Sequence, residues 1–317
     1  MSSFFRIGQL LKGKFGTYTV TKQVQETVWF AKNQRVQETV VIKSVKGHPR
    51  VENERNVLKR LQHRTPFLRP LVDEIEKPSA PTTIALRYLE SNLLTETIKK
   101  ALNRKELKHV CRCVLEALRV IHEENLVHTD VKLDNVFVGL QEGDNRFSDV
   151  QLGDLGGCYD KHSRWAISGT LVGTPIWSSP EVLMEMPWNT AADIWSFGAL
   201  LISLLYGGDF NLFRPIIDRG HEEYVVGVVM EQFRYFGPFP AKISDIPSPE
   251  TIQSILWLMQ ELPQEKLTPF SWTTEKEVSK RDKDFIGKIM MLDWRDRPTA
   301  KELLEDEWWD DDESAVT

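Results

Sequence analysis

The spacing of apolar residues favours strands in the N-terminal part of the chain and changes to a helical period further on. Residues 17–24 and 36–45 are rich in Val, Thr and Ile, broken by Gly and Asn, and predict strands. Residues 51–61 put Val51, Val57, Leu58 and Leu61 on or near one face and predict a helix. Two short strands are expected at 68–75 and 82–88, separated by Pro78 and Pro81. From about residue 91 the pattern is mainly helical, with Val110, Val114, Leu118 and Ile121 at helical intervals in 107–126. The apolar run 194–206, interrupted by Ser196 and Ser203, falls short of the roughly 18 apolar residues that span a bilayer and predicts a buried core helix.

This layout gives an α+β protein of two lobes: a small, strand-rich lobe over 1–88 and a larger, mainly helical lobe over 89–309. Residues 207–279 are rich in Pro, Gly and aromatics and predict an insert of extended loops with short helices. Residues 310–317 predict an acidic, frayed tail.

Composition narrows the function classes. A net charge of −6 argues against nucleic acid as the main ligand, because such proteins carry a basic face. Three cysteines, Cys111, Cys113 and Cys158, are too few for a disulfide framework and lack zinc-site spacing, so a reducing compartment is expected. The first residues show no signal-peptide pattern, and the expectation is a monomer in the cytoplasm, with a nuclear pool and no membrane association.

The residues with most chemistry lie in Val127-His128-Thr129-Asp130-Val131-Lys132-Leu133-Asp134-Asn135, between an amphipathic helix and the apolar strand 136–138. A carboxylate, an ammonium and a carboxamide on one braced loop are what phosphoryl transfer needs: an orienting group for a hydroxyl, a cation for phosphate charge and an oxygen ligand for Mg2+. Asp154-Leu155-Gly156 follows a second short strand, 150–152. Val40-Val41-Ile42-Lys43 sets an ammonium on a strand, which a helix carboxylate would hold in place; Glu54 is the first candidate and Glu52 the fallback.

These motifs resemble those of eukaryotic protein kinases of the serine/threonine type. The loop resembles H-R-D-x-K-x-x-N with Thr129 for the arginine, Asp154-Leu155-Gly156 resembles D-F-G, and Val40 to Lys43 matches the third-strand lysine motif. Leu11-Lys12-Gly13-Lys14-Phe15-Gly16 aligns with the glycine-rich loop G-x-G-x-x-G, with Leu11 for the first glycine. Gly173-Thr174-Pro175 with Ser179-Pro180-Glu181, then Asp193-Ile194-Trp195-Ser196-Phe197-Gly198 and Arg297-Pro298-Thr299-Ala300, resemble G-T-P…A-P-E, D-x-W-S-x-G and R-P-T-A. The resemblance runs from about Gly8 to Trp309.

The resemblance implies a bilobal kinase fold that transfers the γ-phosphoryl group of ATP to serine or threonine hydroxyls of a protein substrate. It gives Asp130 the orienting or base role and Lys132 the phosphoryl contact, with Asn135 and Asp154 holding Mg2+. Lys43, fixed by Glu54, would position ATP, under Leu11, Gly13 and Gly16. Tyr18, Val41 and Phe137 would sandwich the base, Leu86 would be the gatekeeper, and Arg87, Tyr88 and Leu89 the hinge. It also pairs Glu181 with Arg297.

The departures point to subfamily and activity. His128-Thr129-Asp130 with Asp154-Leu155-Gly156 is similar to SR-protein kinases, and Thr129 leaves a phosphorylated activation segment without an arginine partner. Leu11, Tyr18 and Thr129 support a second reading, a pseudokinase scaffold that binds partners. A small-molecule kinase is a third, disfavoured by the Gly173-to-Glu181 segment, which resembles a protein-substrate platform.

Overall fold

The structure is a computed structural model, and it describes residues 4–245 and 248–310. All of the expected acidic tail except Asp310 lies outside the described residues.

Six antiparallel strands close into a small barrel: β1 (Leu10–Gly13), β2 (Thr17–Gln25), β3 (Val28–Asn33), β4 (Thr39–Ser44), β5 (Leu71–Lys77) and β6 (Thr83–Arg87), in the order β1-β2-β3-β4-β6-β5. Alternation decides what each strand shows to either side. Val40 and Ile42 of β4 join Leu11, Tyr18, Val20, Trp29 and Ala31 in the barrel core, while Val41 and Lys43 face the other way, into the cleft. Helix α1 (Arg50–Leu61) packs beneath the sheet through Val51, Glu54, Val57, Leu58 and Leu61.

The larger lobe begins with β7 (Ser91–Asn92), α2 (Leu93–Lys99) and the 20-residue α3 (Arg104–Glu123), whose Asn103 cap and Glu106 form a capping box. Then come β8 (Leu126–Val127), β9 (Val136–Leu140), β10 (Phe147–Leu152) and β11 (Tyr159–Asp160), paired as β10-β9-β7 and β11-β8. Two short helices, α4 (Arg164–Ile167) and α5 (Pro180–Leu183), lead to α6 (Ala191–Tyr206), whose residues from Ala192 to Leu204 are all buried. Its serines are satisfied locally: Ser203 Oγ donates to the Ala199 carbonyl and Ser196 Oγ to that of Trp177.

Three outcomes differ from the sequence-based expectations. Residues 28–33 form a strand that was not foreseen. The insert is more regular than expected, with α7 (Tyr224–Phe236) and α8 (Pro249–Glu261) each 13 residues long, before α9 (Lys280–Ile289) and α10 (Ala300–Leu304). The run Val225-Val226-Gly227-Val228-Val229 lacks helix formers, and burial of Val228, Val229 and Phe233 overrides its propensity. The helix expected at 107–126 ends at Glu123, because Asn125 takes a left-handed conformation and β8 follows.

Candidate functional site

Between the lobes runs a cleft lined from above by Val24, Gln25, Thr27, Val28, Phe30, Val41 and Lys43 and from below by Lys132, Asp134, Asn135, Phe137, Asp154 and Thr174. Leu86, Tyr88 and Leu89 close its back.

The floor is held from behind by α6. Buried Asp193 accepts hydrogen bonds from the backbone amides of His128 (2.7 Å) and Thr129 (2.8 Å), and its Oδ2 meets His122 Nε2 at 2.9 Å. That grip holds Thr129 at φ 70°, an uncommon conformation for a β-branched residue. Thr129 Oγ1 donates to the Gly157 carbonyl at 2.9 Å, tying the loop to the helical turn that follows Asp154. Gly173 must approach Thr129 closely, because a Cβ there would lie 2.3 Å from the Thr129 carbonyl oxygen.

On this frame the chemical groups converge. Asn135 Nδ2 donates to the Asp130 carbonyl at 2.8 Å and to Asp130 Oδ2 at 3.1 Å, which turns the Asn135 amide oxygen away from Asp130. Lys132 Nζ pairs with Asp130 Oδ2 at 2.9 Å. The Thr174 hydroxyl accepts from Lys132 Nζ at 2.9 Å and donates to Asp130 Oδ1 at 2.8 Å, so a hydroxyl already sits between carboxylate and ammonium.

Opposite them, Lys43 Nζ binds Glu54 Oε2 at 2.7 Å and Asp154 Oδ1 at 2.5 Å. Burial opposes the Lys43 charge, but these two carboxylates outweigh it and hold Lys43 above its ordinary value. Burial likewise disfavours an Asp154 carboxylate, yet Lys43 and Arg50 bring it down to about 2. Asp154 has a left-handed backbone, and Arg50 Nη2 binds its Oδ2 at 3.1 Å. Asn53 ties α1 to the same segment through the Gly156 and Cys158 carbonyls. Glu54 is therefore the lysine's partner, whereas Glu52 is exposed and binds Arg55.

The structure does not bring Leu11, Gly13, Gly16 or Tyr18 to the cleft. Leu11 and Tyr18 are fully buried in the barrel core. The β1–β2 turn instead wraps Asp73 of β5: its carboxylate accepts from the amides of Lys14 (3.0 Å), Phe15 (3.1 Å) and Gly16 (3.0 Å) and from the Tyr18 hydroxyl (2.9 Å). A Cβ on Gly13 would stand 2.2 Å from Asp73 Oδ2, so this glycine serves a nest that an internal carboxylate already fills. Burial and then Asp73 push the Tyr18 hydroxyl pKa well up. The turn that overhangs the cleft joins β2 to β3, around Gln25, Glu26 and Thr27, and holds no glycine. Counting strands back from Lys43 finds it, because β3 is the hairpin neighbour of β4, with Val28 opposite Lys43.

Of the other expected residues, Val41, Leu86, Tyr88 and Phe137 surround the inner end of the cleft, with Val28 in the place expected of Tyr18, whereas the Arg87 side chain binds Asp149. Sequence reasoning missed Arg50 and Arg69. The only sequence signal for Arg69 is a cation between Leu68 and Pro70 in an otherwise apolar segment. Burial brings Arg69 down to about 10 against the pull of Glu54 and Asp154. Away from the cleft, Arg297 and Glu181 make a buried two-pronged ion pair at 2.7 and 2.8 Å. Cys111, Cys113 and Cys158 are buried, and burial raises all three thiols.

Among the described residues no cluster of three His, Cys, Asp or Glu side chains could cage a metal. Asp154 and the Asn135 amide oxygen would hold Mg2+ in a different mode, in which the ion keeps waters and takes further ligands from phosphates, with Asp154 giving up its contacts to Lys43 or Arg50. No helix among the described residues is long and apolar enough to cross a membrane.

Comparison with known proteins places the chain in a family. A rat serine/threonine-protein kinase PAK 5 is 33% identical over 125 residues, which are 39% of this chain and 17% of that protein. Calcium/calmodulin-dependent protein kinase type 1 of Macrobrachium nipponense is 26% identical over 268 residues, 84% of this chain and 64% of that protein. The chain thus spans less than two thirds of these relatives. The crystal structure of the yeast RNA Pol II CTD kinase CTDK-1 complex superposes with a TM-score of 0.74 at 21% identity, over 93% of either chain. The protein kinase domain family matches residues 6–309, and this chain belongs to that family.

Proposed function

We propose that the chain transfers the γ-phosphoryl group of Mg2+-bound ATP to serine and threonine hydroxyls of protein substrates. One observation carries this reading: the Thr174 hydroxyl lies between Asp130 (2.8 Å) and Lys132 (2.9 Å), the arrangement an incoming substrate hydroxyl needs. Asp130 orients that hydroxyl and receives its proton, while Lys132 compensates the charge of the moving phosphoryl group. Asn135 and Asp154 would hold the Mg2+, which supplies charge neutralisation at the β- and γ-phosphates. Lys43, steadied by Glu54, contacts the α- and β-phosphates. Catalysis is then mostly placement and electrostatics. The reading includes a monomer acting in the cytoplasm with a nuclear pool.

The test is transfer from labelled ATP to myelin basic protein, casein and an Arg-Ser-rich peptide, by wild type and Asp130→Asn. Transfer lost in the variant supports the reading, and preference for the Arg-Ser peptide supports the SR-protein-kinase likeness. Equal background from both folded proteins supports the second reading, a partner-binding scaffold. That reading is favoured by the glycine-free β2–β3 turn, which gives phosphates less close backbone approach.

A further inference from the structure

The inner end of the cleft, bounded by Val41, Leu86, Tyr88 and Phe137, also contains one strongly charged side chain. Arg69 is 6% exposed, and its placement is set by backbone. Its amide donates to the Leu152 carbonyl at 2.9 Å, beside the Leu68–Leu152 bridge. Gly153 follows, and a Cβ there would lie 2.8 Å from the Phe137 ring and 3.3 Å from Arg69 Cβ. The missing Cβ lets the Arg69 stem and the Phe137 ring close on each other.

The guanidinium carbon stands 4.0 Å from the Phe137 ring centroid, at stacking distance. Arg69 Nε donates to the Arg87 carbonyl at 2.8 Å. The Arg87 peptide is itself anchored, since its amide donates to the Pro70 carbonyl at 3.0 Å. A flat, amine-bearing base entering this cleft would use the same two features: a ring face for stacking and a backbone carbonyl for its exocyclic N–H. A planar cation with fixed donors already has both.

We propose that Arg69 occupies the base subsite in the manner of a purine, so that a nucleotide seats its base there only once the Arg69 side chain has swung out. The inference rests on the nucleotide-cleft reading above. Adenine then competes with a charge-assisted hydrogen bond and a stacked ring, both internal, and base affinity is low while the phosphate subsite is unaffected by this competition. Arg69 thereby sets which part of the nucleotide supplies the binding energy.

The test titrates the full chain with adenosine, which needs only the base subsite, and with Mg2+-tripolyphosphate, which needs only the phosphate subsite. Arg69→Met keeps an apolar stem without the fork, and Arg69→Lys keeps the charge without its planarity. The expected result is adenosine binding about tenfold tighter in Arg69→Met, equivalent to about 1.4 kcal/mol, exceeding any change in tripolyphosphate affinity. Arg69→Lys falls between, and circular dichroism checks that each variant is folded. Adenosine affinity equal to or below wild type in both folded variants overturns the inference. If wild type nevertheless transfers phosphate at saturating Mg2+-ATP, only the Arg69 inference falls. If wild type and variants bind neither probe and no transfer occurs, the nucleotide reading falls with it.

Discussion

The floor and the roof of the cleft hold their functional groups in different ways. On the floor, Asp130 bonds to Lys132, Asn135 and Thr174, Lys132 also bonds to Thr174, and the loop bearing them hangs from buried Asp193. The roof overhangs with Gln25, Glu26 and Thr27, while the glycines Gly13 and Gly16 serve the neighbouring hairpin, whose amides are taken by Asp73. On the proposed function, the floor would supply the groups for phosphoryl transfer, whereas the roof would offer nucleotide phosphates a side-chain-bearing turn. Transfer rate and nucleotide affinity would then be separable properties, each governed by its own set of residues.

The sharpest break of this contrast is Asp130→Asn. It should lower phosphoryl transfer by about 10²–10⁴-fold, the usual worth of a positioned base, while nucleotide affinity changes far less. Equal losses of rate and affinity would show that floor and roof are not separable. Glu181→Ala, which leaves Arg297 buried without its partner, should destabilise the larger lobe by about 3–5 kcal/mol in denaturant unfolding. A loss under about 1 kcal/mol would mean that the Arg297 bonds to the Met291 and Ala191 carbonyls suffice.

Asp73→Ala strands the β1–β2 amides and should cost about 1–3 kcal/mol of stability with no change in nucleotide affinity. Weakened nucleotide binding in a folded variant would instead return this hairpin to the site. Asp154 gives a pH signature. Its pKa is about 2 against an ordinary 3.8, so its stabilisation is complete above the ordinary value and disappears as pH falls through about 2. The amount is at most about 2.5 kcal/mol, and Asp154→Asn should flatten that part of the acid limb; an unchanged limb would locate the acid sensitivity elsewhere. The smallest effect is expected of Glu26→Gly in the overhanging turn, which should tighten Mg2+-ATP binding a few-fold, within about 1 kcal/mol. Weaker binding would mean that the Glu26 side chain itself supports the turn.

Legibility followed the range of the forces involved. The groups of 128–135 were readable because the chemistry is contiguous and lies between a helix and a strand of clear period. Lys43 and Glu54 were readable as a pair because strand β4 and helix α1 are consecutive in the chain. The glycine loop was misplaced because Gly13 and Gly16 have the right local spacing, and only Asp73, on β5, reveals what their amides bind. Helices α7 and α8 were expected only as short helices among loops, because β-branched residues and scattered aromatics mask a helical period that burial enforces.

Periodicity, turn residues and motif order were enough to establish the two-lobed architecture and to point to the groups on which the proposed transfer chemistry rests, since these depend on neighbours in the chain. Which hairpin overhangs the cleft, and what Arg69 touches, depended on the closure of the barrel. Closing six strands sets the inward or outward face of every residue on them, and so buried Tyr18 and left Val28 in the cleft. Arg69 meets Phe137 and Arg87 only because the Leu68–Leu152 bridge joins the lobes at Gly153, a contact between residues far apart in sequence.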